Sequence, residues 1–369
     1  MVFSLAYFPF VGGAEVFVKE IGKRLSKQYQ FEIITARLKR GLSTVSKTDG
    51  MTVYRVGWGV EIIDKIFYPL FALRKAMQLK KSNQFSHSIM AGPAGLATLL
   101  FHWICKEPYL LTLQEGESER QLHIFFGLIW PLYLSVYKNA YHIHAISNYL
   151  KKRALRYGYN KSITVIPNGV DLHTFQSKSA AIGYLRNKFK ANIKNIVITA
   201  SRLVHKNGVD SLIEALRFLD DSYHLLILGT GKQKYHLINM TKRWELEKKV
   251  SFIGHVEHRA LVRYLSVADV FVRPSRSEGL GNSFLESMAV GIPVIGTKVG
   301  GIPDFLKDGK TGLFCKVDNP KDIAEKIKTL CENKNLRERI SKEGQRFVRE
   351  RFSWDRIAQQ IKNIYERIP

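Results

Sequence analysis

The chain has 369 residues, of which 45% are hydrophobic, and this length is sufficient for two domains with complete cores. Its three cysteines, Cys105, Cys315 and Cys331, are widely separated, which excludes a disulfide framework and a cysteine zinc site and favours a reducing compartment. The formal net charge of +25 favours an anionic partner, whether nucleic acid, anionic lipid or a phosphorylated substrate.

The first half of the sequence alternates apolar runs with helical patterns, which is typical of a parallel α/β sheet. A predicted first strand leads to Gly12 and Gly13, and a helix is predicted from Ala14 to about Gln28. Glycines at a helix start let a ligand approach the backbone, although a tight turn without a ligand has the same pattern. The other strands predicted in this half are residues 31–35, 53–56, 86–90, 109–113 and 140–147.

Two segments of this half are strongly apolar. Residues 61–80 are predicted to form an amphipathic helix with lysines and arginines towards its end, which suits either a membrane surface or a domain core with a solvated basic end. Residues 124–137 are fewer than the roughly 20 needed to cross a bilayer, and they contain Pro131, so they predict a buried or interfacial helix.

The second half repeats the plan of strand, glycine or basic turn, and helix. Its predicted strands are residues 195–200, 224–228, 250–254, 268–274 and 293–297. Ligands of parallel α/β sheets bind beyond the carboxyl ends of the strands, so these turns are candidate binding segments. The last predicted helix, 354–365, carries Trp354, Ile357, Ile361 and Ile364 on one face.

Residues 275–301 contain the most informative pattern. A glycine-broken loop follows the strand 268–274, and a helix is predicted over 282–290. Such a turn offers N–H groups and the positive end of a helix dipole to an anion. Glu278 and Glu286, in the loop and in the second helical turn, can accept hydrogen bonds from hydroxyl groups. The stretch therefore predicts a site for a nucleotide sugar, and a plain turn with two solvated glutamates is the alternative.

The spacing Glu278-x7-Glu286 within SEGLGNSFLESMAVGIPVI, followed by GTKVGGIPDFLKDGKTGLF, resembles the donor-sugar signature of the retaining glycosyltransferases of family 4. The resemblance covers nearly the whole chain and implies the α/β GT-B architecture, in which two Rossmann-like domains with doubly wound parallel sheets face a cleft. The implied parts are an N-terminal acceptor-binding domain at 1–172, a linker region at 173–194, a C-terminal donor-binding domain at 195–352 and a final helix at 353–369. That helix is expected to pack back on the first domain, with packing on its own domain as the alternative.

The resemblance implies roles for residues of the second domain. Glu278 would bind hydroxyls of the transferred sugar, and Glu286 would bind the ribose of the nucleotide. Arg202 matches the family's diphosphate-binding arginine. The family's lysine five residues on is replaced by Asn207, so either a re-shaped turn brings Lys206 in or the second cation is lost. The other residues implied to contact the donor are Gly229, Gly231, Val256, Gly281, Asn282, Ser283 and Phe284.

In the first domain the resemblance places Gly12, Gly13, Gln114 and Asn168 on the acceptor side of the cleft. The glycines lie in a GGAE pattern, and Asn168 lies in PNGVD, a segment similar to the family's crossing into its second domain. Gln114 stands where the family commonly has a histidine facing the transferred sugar. A glutamine can hydrogen-bond a sugar hydroxyl but cannot carry a proton, so the departure argues against a titrating group here.

The implied activity is retaining transfer of a sugar from a UDP- or GDP-sugar to a hydroxyl of a glycan or lipid-linked acceptor, in cell-surface polysaccharide or glycolipid synthesis. Arg202 and Lys206 would neutralise the leaving diphosphate in place of a metal ion, because the sequence contains no Asp-x-Asp motif, and no cofactor is expected. The basic helices of the first domain add an expectation of a cytoplasmic enzyme bound peripherally to the anionic inner face of the cell membrane.

Two other classes remain open. The charge is compatible with a nucleic-acid-binding protein, but no basic–aromatic motif or known binding module is visible, so a nucleic-acid partner is not expected. The other class is a different GT-B protein: a phosphorylase, whose pyridoxal lysine motif is not found, or a sugar-nucleotide epimerase. A non-catalytic member of the family is a further reading, which Gln114 and Asn207 favour.

Overall fold

Strands and helices alternate along almost all of the described chain. The structure is a computed structural model that describes residues 1–82, 84–175 and 193–369. It divides into unit 1, residues 1–169 and 354–369, and unit 2, residues 170–353. The first domain was expected to end at residue 172, and the first segment of unit 1 ends at 169. The second domain was expected to end at 352, and unit 2 ends at 353, directly before the final helix begins at Trp354. Most of the expected linker region, 173–194, lies outside the described residues.

Unit 1 is built on an eight-stranded sheet. Its strands are β1 (Val2–Ser4), β2 (Phe31–Ala36), β3 (Val45–Thr48), β4 (Met51–Val56), β5 (Ser86–Ile89), β6 (Tyr109–Leu113), β7 (His142–Ala145) and β8 (Ile163–Val165). Their order is β3-β4-β2-β1-β5-β6-β7-β8, and all neighbours are parallel except β3 and β4. The central strands are buried on both faces, which explains why they are continuous apolar runs. The edge strand β3 was not predicted because its sequence, VSKT, is polar and largely exposed.

The helices of unit 1 are α1 (Gly13–Leu25), α2 (Glu61–Leu79), α3 (Pro93–Cys105), α4 (Glu119–Phe126), α5 (Trp130–Lys138), α6 (Asn148–Arg156) and the last helix of the chain, α14 (Trp354–Tyr365). Helix α14 packs against α1. Its Ile357 and Ile361 share one core with Phe17 and Ile21 of α1, because residues three and four apart lie on one helix face. The last helix therefore belongs to the core of unit 1.

The apolar segment 124–137 is not one helix. It comprises the end of α4, a 3-10 turn at Gly127–Ile129 and most of α5. Pro131 lies in the first turn of α5, where its missing N–H leaves no helical hydrogen bond unmade. The prediction of a single helix was wrong because the proline starts a new helix. No helix within the described ranges combines the length and apolar character needed to cross a bilayer.

Unit 2 is built on a six-stranded, fully parallel sheet. Its strands are β9 (Asn195–Ala200), β10 (Tyr223–Leu228), β11 (Val250–Gly254), β12 (Val270–Arg273), β13 (Val294–Thr297) and β14 (Leu313–Cys315). Its helices are α7 (Val209–Ala215), α8 (Lys234–Arg243), α9 (His258–Val267), α10 (Asn282–Val290), α11 (Ile302–Phe305), α12 (Pro320–Glu332) and α13 (Lys334–Arg351).

The strand order of unit 2, β11-β10-β9-β12-β13-β14, reverses direction between β9 and β12. The loops that follow β9 and β12 therefore leave the sheet side by side at a topological switch point. Ligands of doubly wound sheets bind at such points, beyond the carboxyl ends of the strands. The loop after β9 contains Arg202 and Lys206, and the loop after β12 contains Glu278.

Two buried histidines of unit 1 belong to a hydrogen-bonded chain whose direction is fixed when both rings are neutral. His144 Nε2 donates to the Ile166 carbonyl at 2.7 Å, so its Nδ1 accepts from Thr112 Oγ1 at 3.0 Å. Thr112 Oγ1 then accepts from His87 Nε2 at 2.7 Å, and His87 Nδ1 accepts from the Tyr365 hydroxyl at 2.9 Å. Both histidines are neutral in this arrangement. Burial lowers the pKa of His144 to about 4 and lowers the pKa of His87 well below its ordinary value.

We expect the free energy of unfolding to fall as the pH falls from 6.5 towards 4. Within this window the unfolded chain binds a proton at His144 that the folded chain does not bind, so acid favours unfolding. At about 1.36 kcal/mol per pKa unit, the shift from 6.5 to about 4 corresponds to as much as about 3 kcal/mol. Urea unfolding at pH 7 and pH 5 measures it. His144→Gln should show a smaller pH dependence, and an equal dependence in both proteins would contradict the assignment.

Candidate functional site

The buried side chain of Arg273, the last residue of β12, organises the loop that contains Glu278. Its Nη1 donates to Ser283 Oγ at 2.8 Å, and its Nη2 donates to Glu278 Oε2. The guanidinium lies over the Phe284 ring, 4.9 Å from the centroid. The other carboxylate oxygen of Glu278, Oε1, accepts from the Gly279 N–H at 3.0 Å. The carboxylate of Glu278 is thus held through both of its oxygens.

Two glycines permit this arrangement. Gly281 has a φ of +100°, and a Cβ there would lie 2.9 Å from Arg273 Nη2. Gly300 has a φ of +54°, and a Cβ there would lie 1.8 Å from the Glu278 carbonyl oxygen. A side chain at either position would displace Arg273 or the backbone of Glu278. The structure therefore gives Gly281, a predicted donor contact, a packing role as well.

Arg276 ties the loop after β12 to its neighbours. Its guanidinium makes a bidentate contact with Asp210, at 2.9 and 2.8 Å, and its Nε donates to Asp318 at 2.7 Å. The hydrogen bond from Arg276 holds the pKa of Asp318 below its usual value. Nη1 of Arg276 also donates to the His205 carbonyl at 2.6 Å, and its backbone N–H donates to the Lys206 carbonyl at 2.7 Å. Arg276 thereby joins the loops after β9, β12 and β14.

The turn after β9 contains both predicted cations. Arg202 is exposed and Lys206 is half-buried. Asn207, at the position where the family has lysine, is buried, and its Nδ2 donates back to the Arg202 carbonyl at 2.6 Å. Asn207 therefore stabilises the 3-10 turn at His205–Asn207, and Arg202 and Lys206 are the cations of this turn.

Glu286 lies in the second turn of α10, with its side chain largely buried. His258, the first residue of α9, forms a 2.7 Å hydrogen bond from Nε2 to Glu286 Oε1. The ring of Phe175 lies 5.3 Å from that of His258, centroid to centroid. Val256, one of the residues implied to contact the donor, lies two residues before His258 in the loop after β11. The structure thus brings the loop of Val256 beside the glutamate predicted to bind ribose.

Gly229 and Gly231 follow β10 and pack on the turn that contains Arg202. A Cβ at Gly229, whose φ is +127°, would lie 1.9 Å from the Ser201 carbonyl oxygen. A Cβ at Gly231 would lie 2.4 Å from the Leu203 carbonyl oxygen. These glycines allow the loops after β9 and β10 to pack closely.

Phe284, one of the predicted donor contacts, has its N–H and its ring engaged within the protein. The N–H donates to the Gly281 carbonyl at 3.0 Å, and the ring is fully buried. The ring lies 5.1 Å from that of Phe271 and 5.6 Å from that of Phe305. The Phe284 ring thereby packs against the guanidinium of Arg273. Asn282 and Ser283 begin the helix, as predicted.

The predicted acceptor-side residues lie in unit 1. Gly12 and Gly13 are exposed at the start of α1. Gln114 and Asn168 are both buried, and Asn168 Nδ2 donates to Gln114 Oε1 at 3.1 Å. The buried Glu115 accepts from the N–H groups of Ala91 and Gln114, and burial raises its pKa. A titrating group therefore does lie next to Gln114, held by backbone donors.

Sequence reasoning missed four residues of these sites: Arg273, Arg276, His258 and Glu115. A signal existed for Arg273 and Glu115. Each ends or follows an apolar strand, and a charged group there is buried and must be paired. Arg276 and His258 gave none, because their partners lie far away in the sequence. Among the described residues, no group of three or more histidine, cysteine, aspartate or glutamate side chains is placed to hold a metal ion.

Comparisons with known proteins show the family of the chain. The family model "Glycosyltransferase Family 4" matches residues 11–174, and the model "Glycosyl transferases group 1" matches residues 184–347. An uncharacterized glycosyltransferase of Methanocaldococcus jannaschii is 26% identical over 364 residues, which are 98% of this chain and 96% of that protein.

Two further relatives have more specific names. The GDP-mannose-dependent alpha-(1-6)-phosphatidylinositol monomannoside mannosyltransferase of Mycobacterium tuberculosis is 30% identical over 230 residues, 59% of this chain and 60% of that protein. The crystal structure of Anabaena HepE in complex with UDP-glucose superimposes with a TM-score of 0.83 at 20% identity, covering 99% of both chains.

The two α/β units with parallel sheets define a protein of the GT-B class. Within that class, the chain belongs to the glycosyltransferases of family 4, whose two family models match its two halves. The resemblance seen in Glu278-x7-Glu286 and its flanking sequence is confirmed.

We expect Arg276→Met to destabilise the chain by on the order of 2 kcal/mol, because charge-assisted hydrogen bonds to Asp210 and Asp318 are lost together. Urea unfolding of the full chain measures the change. Arg346→Met, which removes an exposed arginine paired with Glu343 in the same unit, is the matched control and should change the free energy of unfolding little. Equal effects of the two substitutions would contradict the tying role of Arg276.

Proposed function

We propose that this glycosyltransferase transfers a sugar from a nucleotide-diphosphate sugar to a hydroxyl acceptor with retention of anomeric configuration. One observation carries the proposal: Glu278 is held through both oxygens beside the start of α10, while Glu286 lies in the second turn of that helix. Both carboxylates thereby lie near the N-terminus of α10, at the switch point of the unit 2 sheet.

The proposed roles follow from the chemistry of each group. Glu278 accepts hydrogen bonds from hydroxyls of the transferred sugar, and Glu286 accepts them from the ribose. Arg202, Lys206 and the N-terminal end of α10 stabilise the charge that develops on the leaving diphosphate. The acceptor oxygen bonds to the anomeric carbon on the same face from which the diphosphate leaves, so the configuration is retained without a covalent intermediate. The bond between that carbon and the diphosphate oxygen breaks, and the departing oxygen takes the proton of the acceptor hydroxyl.

The names of two relatives support a nucleotide-sugar donor. HepE was crystallised with UDP-glucose, and the mycobacterial mannosyltransferase is described as GDP-mannose-dependent. We extend this donor class to the present chain and propose a UDP- or GDP-sugar. Unit 2 then binds the donor, and unit 1 binds a glycan or lipid-linked acceptor in the region of Gly12, Gln114 and Asn168.

Thermal unfolding in the presence of UDP- and GDP-sugars tests the donor class. A ligand at about 100 times its Kd stabilises the folded chain by about 2.7 kcal/mol, which raises the melting temperature measurably. The best stabilising sugar nucleotide should also be hydrolysed or transferred. If no UDP- or GDP-sugar stabilises the chain or is consumed, the proposed function is wrong.

Glu286→Ala should weaken binding of the nucleoside diphosphate by about 1.5–3 kcal/mol, because a charged acceptor of the ribose hydroxyls is lost. Calorimetry with UDP and GDP measures it. Glu325→Ala removes an exposed glutamate of α12 in the same unit and serves as the control. Unchanged nucleotide affinity in Glu286→Ala would remove Glu286 from the ribose site.

Transfer should continue in the presence of EDTA, because the side chains of Arg202 and Lys206 and the helix dipole are proposed to stabilise the leaving diphosphate. Initial rates with and without the chelator measure this. Loss of activity in EDTA that magnesium or manganese restores would show that a metal ion supplies the charge.

We also propose that unit 1 binds peripherally to an anionic membrane. Its α2 buries Tyr68, Ala72 and Ala76 but exposes a stripe of apolar residues on another side. The exposed fractions in this stripe are 72% for Ile62, 65% for Ile66 and 57% for Leu70. One face of α2 therefore packs in the core of unit 1. The other face is apolar and exposed, which supports the membrane alternative.

A second exposed apolar segment of unit 1 lies at the end of α4 and in the following 3-10 turn. Ile124, Phe125 and Leu128 are exposed by 71%, 67% and 100%. Apolar side chains of this kind enter the headgroup boundary of a bilayer, and the net charge of +25 complements anionic lipid. Together they support a cytoplasmic, peripherally bound enzyme acting on a lipid-linked acceptor.

Flotation with anionic and neutral vesicles, at low and high salt, tests the membrane proposal. Each lysine or arginine near an anionic surface contributes about 1 kcal/mol, and exposed charges are screened over about 10 Å at 0.1 M salt. We expect recovery with anionic vesicles at low salt and less at high salt. The double substitution of Ile66→Ser and Leu70→Ser should reduce recovery, while Tyr235→Ser, at an exposed aromatic of unit 2, should not. Equal recovery on both lipids, or none, would contradict the proposal.

A further inference from the structure

Arg273 has a position that the fold alone does not require. It is the last residue of β12, between two buried apolar neighbours, and its side chain is only 7% exposed. A buried guanidinium is costly unless its charge and its N–H groups find partners. An aliphatic residue at the end of this strand would avoid that cost. The position therefore calls for a role beyond filling the core.

We propose that Arg273 is a positioning residue that sets the orientation of the Glu278 carboxylate for binding the sugar moiety of the donor. This inference rests on the proposed function and adds to it a residue that does not itself touch the substrate. The contact is a charge-assisted hydrogen bond from Arg273 Nη2 to Glu278 Oε2. The N–H of Gly279 holds the other oxygen at 3.0 Å, so the carboxylate has one orientation.

Arg273 is itself held by two neighbours besides Glu278. Ser283 Oγ accepts from its Nη1 at 2.8 Å, and the Phe284 ring lies 4.9 Å from its guanidinium carbon. The absent side chain of Gly281 leaves the space that Nη2 occupies. The arginine thus links the rigid end of β12 to the first turn of α10. Glu278 lies in the loop between them and is therefore held in one position. Binding a ligand to a side chain that is already ordered costs less conformational entropy.

Arg273 contacts neither Glu286 nor the turn of Arg202 and Lys206, and it contacts the start of α10 through the side chains of Ser283 and Phe284. Glu286 is held by His258, and the turn of Arg202 and Lys206 is held by Arg276. Loss of the Arg273 side chain should therefore weaken binding of the sugar and leave binding of the nucleoside diphosphate intact. A merely structural role would weaken both, because the loop and the helix start would be disturbed together.

The test is a double-mutant cycle of Arg273→Met and Glu278→Gln, with affinities measured by calorimetry for UDP and GDP and for UDP-glucose and GDP-mannose. Loss of one hydrogen bond to a charged group corresponds to a change of about tenfold or more, so Arg273→Met should weaken nucleotide-sugar binding by about that factor. Affinity for UDP or GDP should stay within about twofold. In the Glu278→Gln background, Arg273→Met should cause no further loss, because the arginine acts through that carboxylate.

Two more variants serve as controls for this experiment. Arg273→Lys keeps the charge without the fork that reaches both Glu278 and Ser283, and it should give an intermediate loss if Arg273→Met is too unstable to measure. Arg346→Met is the control for loss of a surface arginine in the same unit.

Three results would overturn the inference: equal weakening of nucleoside diphosphate and nucleotide sugar, full additivity of the two substitutions, or wild-type sugar binding by both Arg273 variants. Failure of the proposed function has a separate signature. In that case the wild-type chain binds UDP-glucose no more tightly than UDP, and GDP-mannose no more tightly than GDP. The proposed role of Arg273 is then wrong as well.

Discussion

The contact between Arg273 and Glu278 is the interaction on which the candidate site depends. It pairs two charges that are both largely buried, at the point where a parallel strand passes into a loop. Breaking such a pair on one side is costly because a charge is left without a partner. The surrounding residues follow from it: a glycine at position 281 to make room, a serine to accept the second N–H, and Phe284 beneath the guanidinium. The residues of SEGLGNSF therefore pack around this ion pair, and the same residues form the proposed binding motif.

A second arginine extends this order to the neighbouring loops. Arg276 reaches Asp210 at the start of α7 and Asp318 before α12, and its backbone N–H contacts the Lys206 carbonyl. Because the sheet order reverses between β9 and β12, these loops are neighbours at the carboxyl edge. Arg276 therefore pairs with both Asp210 and Asp318 at this edge. The exposed Arg202 is left to face solvent at the same edge.

Much of the fold could be predicted, because buried parallel strands and amphipathic helices leave clear patterns. The helices 282–290 and 354–365 and the strand 109–113 have the predicted ends. The patterns failed where local chemistry overrode apolar content: Pro131 divided an apolar segment, and β3 formed from polar residues at a sheet edge. Of the candidate site, the two glutamates could be found from their spacing. Arg276 and His258 could not, because their partners are 66 and 28 residues away and only the folded chain brings them together.

The central claim is that the loops after β9, β11 and β12 of unit 2 form one site for a nucleotide sugar. Hydrogen–deuterium exchange of the full chain, with and without the nucleotide sugar that stabilises it most, tests this directly. The account predicts slower exchange in residues 201–208, 254–258 and 277–286 when the nucleotide sugar is bound. It also predicts that the part around Glu278 is protected more by the nucleotide sugar than by the nucleoside diphosphate alone. Protection confined to other segments, or equal protection around Glu278 by both ligands, would contradict it.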